Sequence, residues 1–243
     1  MKIQKYILIL LIVLSPLARG AVVLSNLSDT PAATTFVGSD SWVAQSFITG
    51  ASTQGYLLDS ISLSLAAPNS APSGFEVSIY SNNGGQPGSS VQTLVGSSNP
   101  GSGITLYTSA SSLTLSPSTT YWIVTSADTS VASDNYYKWQ YTNDSAIAST
   151  NGFSVNLASG TWALSDNSGS SWEIGSGAPQ MFSVSATVVP EPGSLCLLMA
   201  GLLLLAAKQR QILARLFQGR LASINRDEEI GNPRRTRVEK AKR

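Results

Sequence analysis

The side chains that most often do chemistry are scarce in this chain. It has no histidine and one cysteine, Cys196, which sits inside an apolar run near the C-terminal end. The body therefore has no imidazole base, no thiol nucleophile, no disulfide and no zinc site of the ordinary ligand type. Glu76 and Glu173 are the only glutamates between residues 21 and 189. Two carboxyls can hydrolyse a glycoside when they stand about 5 Å apart (retaining) or about 6.5–9.5 Å apart (inverting). Glu76, however, falls on the outward phase of its strand and reads as a solvated carboxylate. Asp128, Asp134 and Asn135 offer hard oxygen ligands of the kind calcium takes, but their spacing fits neither an EF-hand nor an RTX repeat. There is no glycine-rich phosphate loop and no Ser-His-Asp set. The expectation is a chain with no catalytic residue, no metal and no cofactor, and not an enzyme.

What remains is aromatic and amide chemistry. The five tryptophans are Trp42, Trp122, Trp139, Trp162 and Trp172. Aromatic rings can stack on the apolar faces of sugars, and sandwich folds with exposed rings offer an analogy for polysaccharide binding. Trp122 lies in a strongly apolar run and is expected in the core. Trp139 sits in "NYYKWQYT" with Tyr137, while Trp162 and Trp172 bracket a polar loop. Trp139, Tyr137, Trp162 and Trp172 are thus the candidate carbohydrate contacts, with core packing as the competing role at each. In "SNNGGQPGSS", residues Asn82 to Gly85 have the types of a hairpin turn that needs positive φ, and Pro87-Gly88 predicts a second bend. The same loop could meet a ligand through backbone and amide groups.

These residues must be positioned by strands, because period-two alternation dominates the body. "LLDSISLSLA" places Leu57, Ile61, Leu63 and Leu65 on one face against Ser60, Ser62 and Ser64. "FEVSIY" turns Phe75, Val77 and Ile79 inward. "LTL" offers Leu113 and Leu115, "FSVNLA" predicts a strand through Phe153, Val155 and Leu157, and "MFSVSATVV" predicts one through Phe182, Val184, Ala186 and Val188. "TYWIVTSA" is apolar on both phases, as a central strand should be. Clusters of Gly, Pro, Asn and Ser separate the runs. The predicted fold is all-β: an antiparallel β-sandwich, jelly-roll-like, flanked by special ends.

The charge pattern explains the ends. Residues 21–193 hold one basic side chain, Lys138, against ten acidic ones, a net charge of −9. Residues 208–243 hold eleven Lys or Arg against four acids, a net charge of +7. Such halves suggest two environments separated by a membrane. The acidic body repels phosphate backbones, so no nucleic-acid partner is expected. At the N-terminus, Lys2 and Lys5 precede a short apolar run and then Ala18-Arg19-Gly20, the pattern of a secretory signal peptide cleaved before Ala21. Near the other end, residues 195–207 are apolar, with Leu195, Leu197, Leu198, Leu202, Leu203, Leu204 and Leu205 as the candidate membrane anchor. Thirteen residues are short for about 30 Å of hydrocarbon, so a buried core helix competes on hydropathy alone. Lys208 and Arg210 close the run as a positively charged cytoplasmic flank.

The order Pro190-Glu191-Pro192, apolar segment, basic flank resembles the PEP-CTERM sorting signal of exported proteins in Gram-negative bacteria. The resemblance implies processing near the triplet by an exosortase and an inner-membrane anchor before it. It then implies delivery to the cell surface or an extracellular matrix, with exopolysaccharide as a candidate partner. Each proline fixes its own φ and biases the preceding residue toward extended backbone, a rigid strip a processing enzyme can bind. Thirty-three residues follow Arg210, which departs from the usual close of such signals. Within the body, "SWVAQSFITG", "YLLDSISLSL", "FEVSIYSNNGGQPGSSVQTLVGSS", "LSPSTTYWIVTS" and "YYKWQYT" resemble the exported domain called choice-of-anchor R. That resemblance implies a surface location and no reaction. The expected organisation is a signal peptide at 1–20, a β-sandwich ectodomain at 21–187, a sorting signal with transmembrane helix at 188–210 and a basic cytoplasmic tail at 211–243. The expected role is a structural, adhesive or polysaccharide-binding surface component. The alternatives are a glycan-active enzyme using a carboxylate pair and an unprocessed single-span membrane adhesin.

Overall fold

The computed structural model describes residues 20–190 and 192–230. The predicted signal peptide therefore lies outside the described residues except for Gly20, as do Glu191 and the last thirteen residues of the tail. The chain divides into two compact units, Met1–Val189 and Pro190–Arg243.

The first unit is mostly β, a curled antiparallel sheet resembling a half-barrel. Its strands are β1 (Ala21–Ser25), β2 (Ala33–Val37), β3 (Trp42–Ile48), β4 (Tyr56–Asn69), β5 (Glu76–Asn83), β6 (Gln86–Val95) and β7 (Gly103–Leu115). They continue with β8 (Thr120–Ser126), β9 (Tyr136–Tyr141), β10 (Ala148–Ser149), β11 (Trp162–Ser165), β12 (Glu173–Gly175) and β13 (Phe182–Val188). The order across the sheet is β10-β1-β13-β4-β7-β6-β5-β8-β3-β11-β12, with β9 joining β4 to β2. The two flanks meet at a narrow seam, where β6 and β7 pair only through Leu94 with Ser109 and Val95 with Thr108. Both outermost strands on this path are very short, which blunts edges that would otherwise template aggregation.

Curling brings the inner faces together over one core. Ile61, Leu63, Phe182 and Val184 from one flank join Val43, Phe47, Val77, Ile79 and Ile123 from the other. Phe75 packs its ring edge-on against Tyr137 with centroids 4.9 Å apart, and lies 6.0 Å from the ring of Tyr107. The inward residues expected of "FEVSIY" are all buried, and so are those of β13 except Val188, which is exposed at its end; β8 is buried on both phases because the core covers one face and Trp42, Tyr80 and Trp172 cover the other.

Two strand predictions need correction. In β4 the register slips between Leu58 and Ser60 against both neighbours, so a bulge at Asp59 reverses the alternation. Tyr56 and Leu58 are buried before the bulge and Ile61, Leu63 and Leu65 after it, while Leu57 is only half-buried. A bulge inserts one residue opposite none, which strict period-two counting cannot anticipate. The run "FSVNLA" is a loop whose backbone meets the sheet in an isolated bridge between Ser154 and Ile48. Phe153 is still buried, stacked against Phe47 and edge-on to Tyr56, so the run anchors by one side chain rather than by a ladder.

Polar staples tie the loops down. Gln45 is fully buried. Its Nε2 donates to the carbonyl of Thr161 at 2.8 Å, and its Oε1 accepts from the Gln180 amide at 2.8 Å. Asp40 accepts from the Ser130 hydroxyl and from the Val131 amide at 2.8 Å, closing the loop around the short 3-10 turn Val131–Ser133. The hydrogen bond from Ser130, followed by that from the Val131 backbone, holds the Asp40 carboxyl below its ordinary range. A lowered carboxyl adds stability above its unfolded pKa of about 4, and loses it as pH falls through the folded value. Asp40→Ala is expected to cost about 1 kcal/mol at neutral pH, as loss of a helix cap does. The gap from wild type should close in acid, measured by thermal melts between pH 7 and pH 2.

The second unit's described element is one helix, α1 (Pro192–Ile230), 39 residues long. Among the described residues, no helix is long and apolar enough to cross a membrane. Helix continues well past Arg210, where the sequence suggested the span's end. Leu203, Leu204 and Leu205 are exposed along it.

Candidate functional site

The face of the sheet opposite the core carries a second, smaller apolar cluster. Ala163, Ala44 and Val124 sit opposite one another across β11, β3 and β8, and Trp122 pairs with Tyr80 of β5. Trp42, Tyr80 and Trp172 pack on this cluster, half-buried. Strand alternation explains it, because Trp42 and Ala44 take the phase opposite to the core residues Val43 and Phe47. Gly169 lets the following loop press onto Trp42: a Cβ there would lie 2.7 Å from the indole, and its φ of +78° suits glycine. Burial, and then the nearby Glu76 carboxylate, raise the pKa of the Tyr80 phenol.

Two depressions open on this face. The larger, about 530 Å³, lies between the β5–β6 hairpin and the loop 169–172, and is lined by Asn82, Asn83, Gln86, Ser170 and Trp172 among others. The smaller, about 370 Å³, lies between the hairpin tip, Trp122 and the loop 156–160. Asn82 lines both, and its side-chain oxygen accepts from the Trp122 indole N–H at 3.0 Å. The hairpin tip follows the sequence expectation: Asn83 pairs with Gln86 around Gly84 (φ +63°) and Gly85 (φ +91°), a two-residue turn with positive φ at both positions. Pro87-Gly88 is not a second bend, because Pro87 pairs with Asn82 inside β6 beside a register irregularity. No acidic or basic side chain lines either depression.

The structure separates the four aromatic candidates. Trp139 is fully buried, and its indole N–H donates to the Met181 carbonyl at 2.9 Å. Tyr137 is 1% exposed, its hydroxyl within 3.1 Å of both the Pro72 carbonyl and the Asn99 side-chain oxygen. Both belong to the core and present no ring face to solvent, which corrects their assignment as carbohydrate contacts. Trp162 is half-buried with its ring over Gly175, and lines neither depression. Trp172 does line the larger one. Sequence reasoning named Asn82 only as part of a hairpin loop that could meet a ligand, and missed Asn156, Ser159 and Gly160. The available signal was the Ser-Gly turn pair inside "NLASG", which the expected strand through Leu157 overrode.

The carboxylates are not brought together. Glu76 shares the outer phase with Ser78 and accepts from its hydroxyl at 3.0 Å. Glu173 pairs with Leu164 on the other phase of β12. Four strand spacings separate β5 from β12, roughly 19 Å at about 4.8 Å each, far beyond either glycosidase geometry. Asp134 accepts from Asn69 at 2.6 Å, and Asn135 from the Ala71 amide at 3.3 Å. Among the described residues no group of three His, Cys, Asp or Glu could hold a metal ion.

Outside the sheet, the triplet and α1 follow in order. Residues 188–211 match the family model of the PEP-CTERM protein-sorting motif. This segment is a PEP-CTERM sorting motif. Pro190 begins the second unit and Pro192 opens α1, where its missing N–H costs nothing. No curated protein matches the chain. Among solved structures, the chain is similar to the cysteine protease and lectin-like domains of Cwp84, a surface layer associated protein of Clostridium difficile. That alignment has 16% identity and a TM-score of 0.49, covering 68% of this chain and 36% of the other. A clostridial cysteine protease Cwp84 after propeptide cleavage aligns at 15% identity and a TM-score of 0.46, covering 68% and 40%. The chain thus spans less than half the length of either.

Proposed function

We propose that this is an exported surface or matrix protein of a Gram-negative bacterium, sorted by an exosortase through its PEP-CTERM motif. Its body acts as a non-catalytic, polysaccharide-binding component. The observation that carries the sorting role is the motif at 188–211, which directly follows the body. The leader at 1–20 and the apolar residues Leu195 to Leu205 belong to the same proposal, as signal peptide and temporary inner-membrane anchor. So do the four-part organisation, the jelly-roll reading of the curled sheet and the choice-of-anchor R resemblance of the body. The outer face supports the binding role. Trp172 lines the larger depression, whose exposed surface is mostly polar, while Asn82, Asn83 and Gln86 offer amides that both donate and accept hydrogen bonds. None of these groups titrates near neutral pH, which favours binding over acid–base chemistry.

The test is the intact mass of the protein recovered from native-host fractions. The expected species starts near Ala21, ends between Pro190 and Gly193 and lies outside the inner membrane. A species that keeps Arg243 in the membrane fraction would overturn the processing role and leave a single-span membrane adhesin with the same body.

A further inference from the structure

We infer that the ligand of the outer face is an uncharged polysaccharide strand, lying across both depressions with Asn82 at their junction. This rests on the polysaccharide-binding reading and narrows it to one class.

The chemistry of the walls makes the selection. The larger depression is walled by Asn82, Asn83, Gln86 and Trp172, the smaller by Asn156 and Trp122 beside hydroxyls and glycine backbone. An amide carries both donors and acceptors, which matches a sugar hydroxyl in either role. A uronate or sulfated sugar is instead an acceptor that asks for a cation. The one basic residue of the body, Lys138, is on β9, and its ammonium lies 5.5 Å from the Tyr136 ring. It lines neither depression. An anionic chain would therefore lose hydration without gaining a partner, against a body of net charge −9. An amino sugar would gain long-range attraction, but no carboxylate lines the walls to fix it.

The shape favours a strand over a single ring. The two depressions adjoin at Asn82, which the Trp122 indole N–H holds in place. At the far end of the smaller one, Gly84 and Gly85 have nothing within 4 Å of where a Cβ would be, and the Cβ position of Gly160 meets only the Gly85 carbonyl at 3.5 Å. Glycine at these positive-φ positions leaves bare backbone facing open space, so a ligand can approach the peptide groups closely.

The test is affinity electrophoresis and calorimetry of the full chain in detergent. The neutral polymers are dextran, hydroxyethylcellulose, galactomannan and the host's own neutral exopolysaccharide, with alginate as the anionic one. Each is run at low and high sodium chloride. The expected result is retardation by at least one neutral polymer with an affinity that salt leaves unchanged, and none by alginate. Trp172→Ala should weaken that binding about tenfold, the loss of roughly one aromatic contact. Because Trp172 also packs on the sheet, Gln86→Lys is the second variant. It should create alginate binding that fades as salt rises, since an exposed ion pair is screened. Salt-sensitive alginate binding by the wild type would overturn the uncharged class while leaving the polysaccharide reading intact. Retardation by no polymer, or neutral binding untouched by Trp172→Ala, would overturn the outer-face reading and this inference together.

Discussion

Trp139→Ala is expected to destabilise the body by about 3–5 kcal/mol, the usual cost of emptying a large aromatic site in a core. The indole is completely shielded, and its N–H is hydrogen-bonded to the Met181 carbonyl at 2.9 Å. Truncation would leave a cavity and strand that carbonyl without its donor. The backbone of Trp139 pairs with Thr35 of β2 and Leu65 of β4, so the site lies where three strands meet and cannot collapse cheaply. Urea unfolding of wild type and variant gives the difference directly. A change within about 0.5 kcal/mol, typical of surface positions, would show that the ring is not in the core. Trp139→Phe should recover much of the loss, since it refills most of the volume and forfeits mainly the hydrogen bond.

Replacing Pro190, Glu191 and Pro192 together with alanine is expected to abolish processing. The mature species ending near Pro190 to Gly193 should disappear from the exported fractions, and the full-length chain should accumulate in the inner membrane. Alanine restores rotation at φ and supplies two amide N–H groups, so the conformational restriction that the two prolines place on the segment is lost. The body ends its last strand at Val188, before the triplet, and its stability should not change. Mass spectrometry of the fractions reads the first effect and a thermal melt the second. Normal processing of the alanine variant would show that the triplet is not what the exosortase reads.

Much of the architecture was legible in local pattern. Alternation in β5, β8 and most of β13 named their core faces correctly, because none of the three carries a bulge of its own along its buried part; only Val188, at the exposed end of β13, departs from it. The Asn-Gly-Gly tip of the β5–β6 hairpin was legible for a similar reason, since positive φ at two successive positions is a requirement of the turn itself. Failures came where pairing with a distant strand overrode the pattern. The bulge at Asp59 reverses β4 halfway along, and it answers to β7 and β13 rather than to the residues around it. The stretch through Leu157 alternates like a strand but finds no ladder, because β3 pairs with β11 along most of that edge.

The candidate site divides the same way. Composition and order determined that the chain has no imidazole and no body thiol, that an acidic body stands before a basic tail, and that a sorting motif follows the body. These are properties of residue types and their succession, and folding does not change them. Which tryptophan lines a depression on the outer face was decided by tertiary structure. Trp139 sits among aromatic residues in sequence and Trp172 among polar ones, and neither setting decides burial. One lies on β9, against β4, where the curl of the sheet closes over it, and the other follows a glycine-bearing loop on the outer face. Separation of Glu76 from Glu173 was decided likewise, by a strand order that puts four spacings between two side chains no local rule could place. Burial and distance depend on which strands pair across long stretches of chain, and that pairing is a property of the whole core.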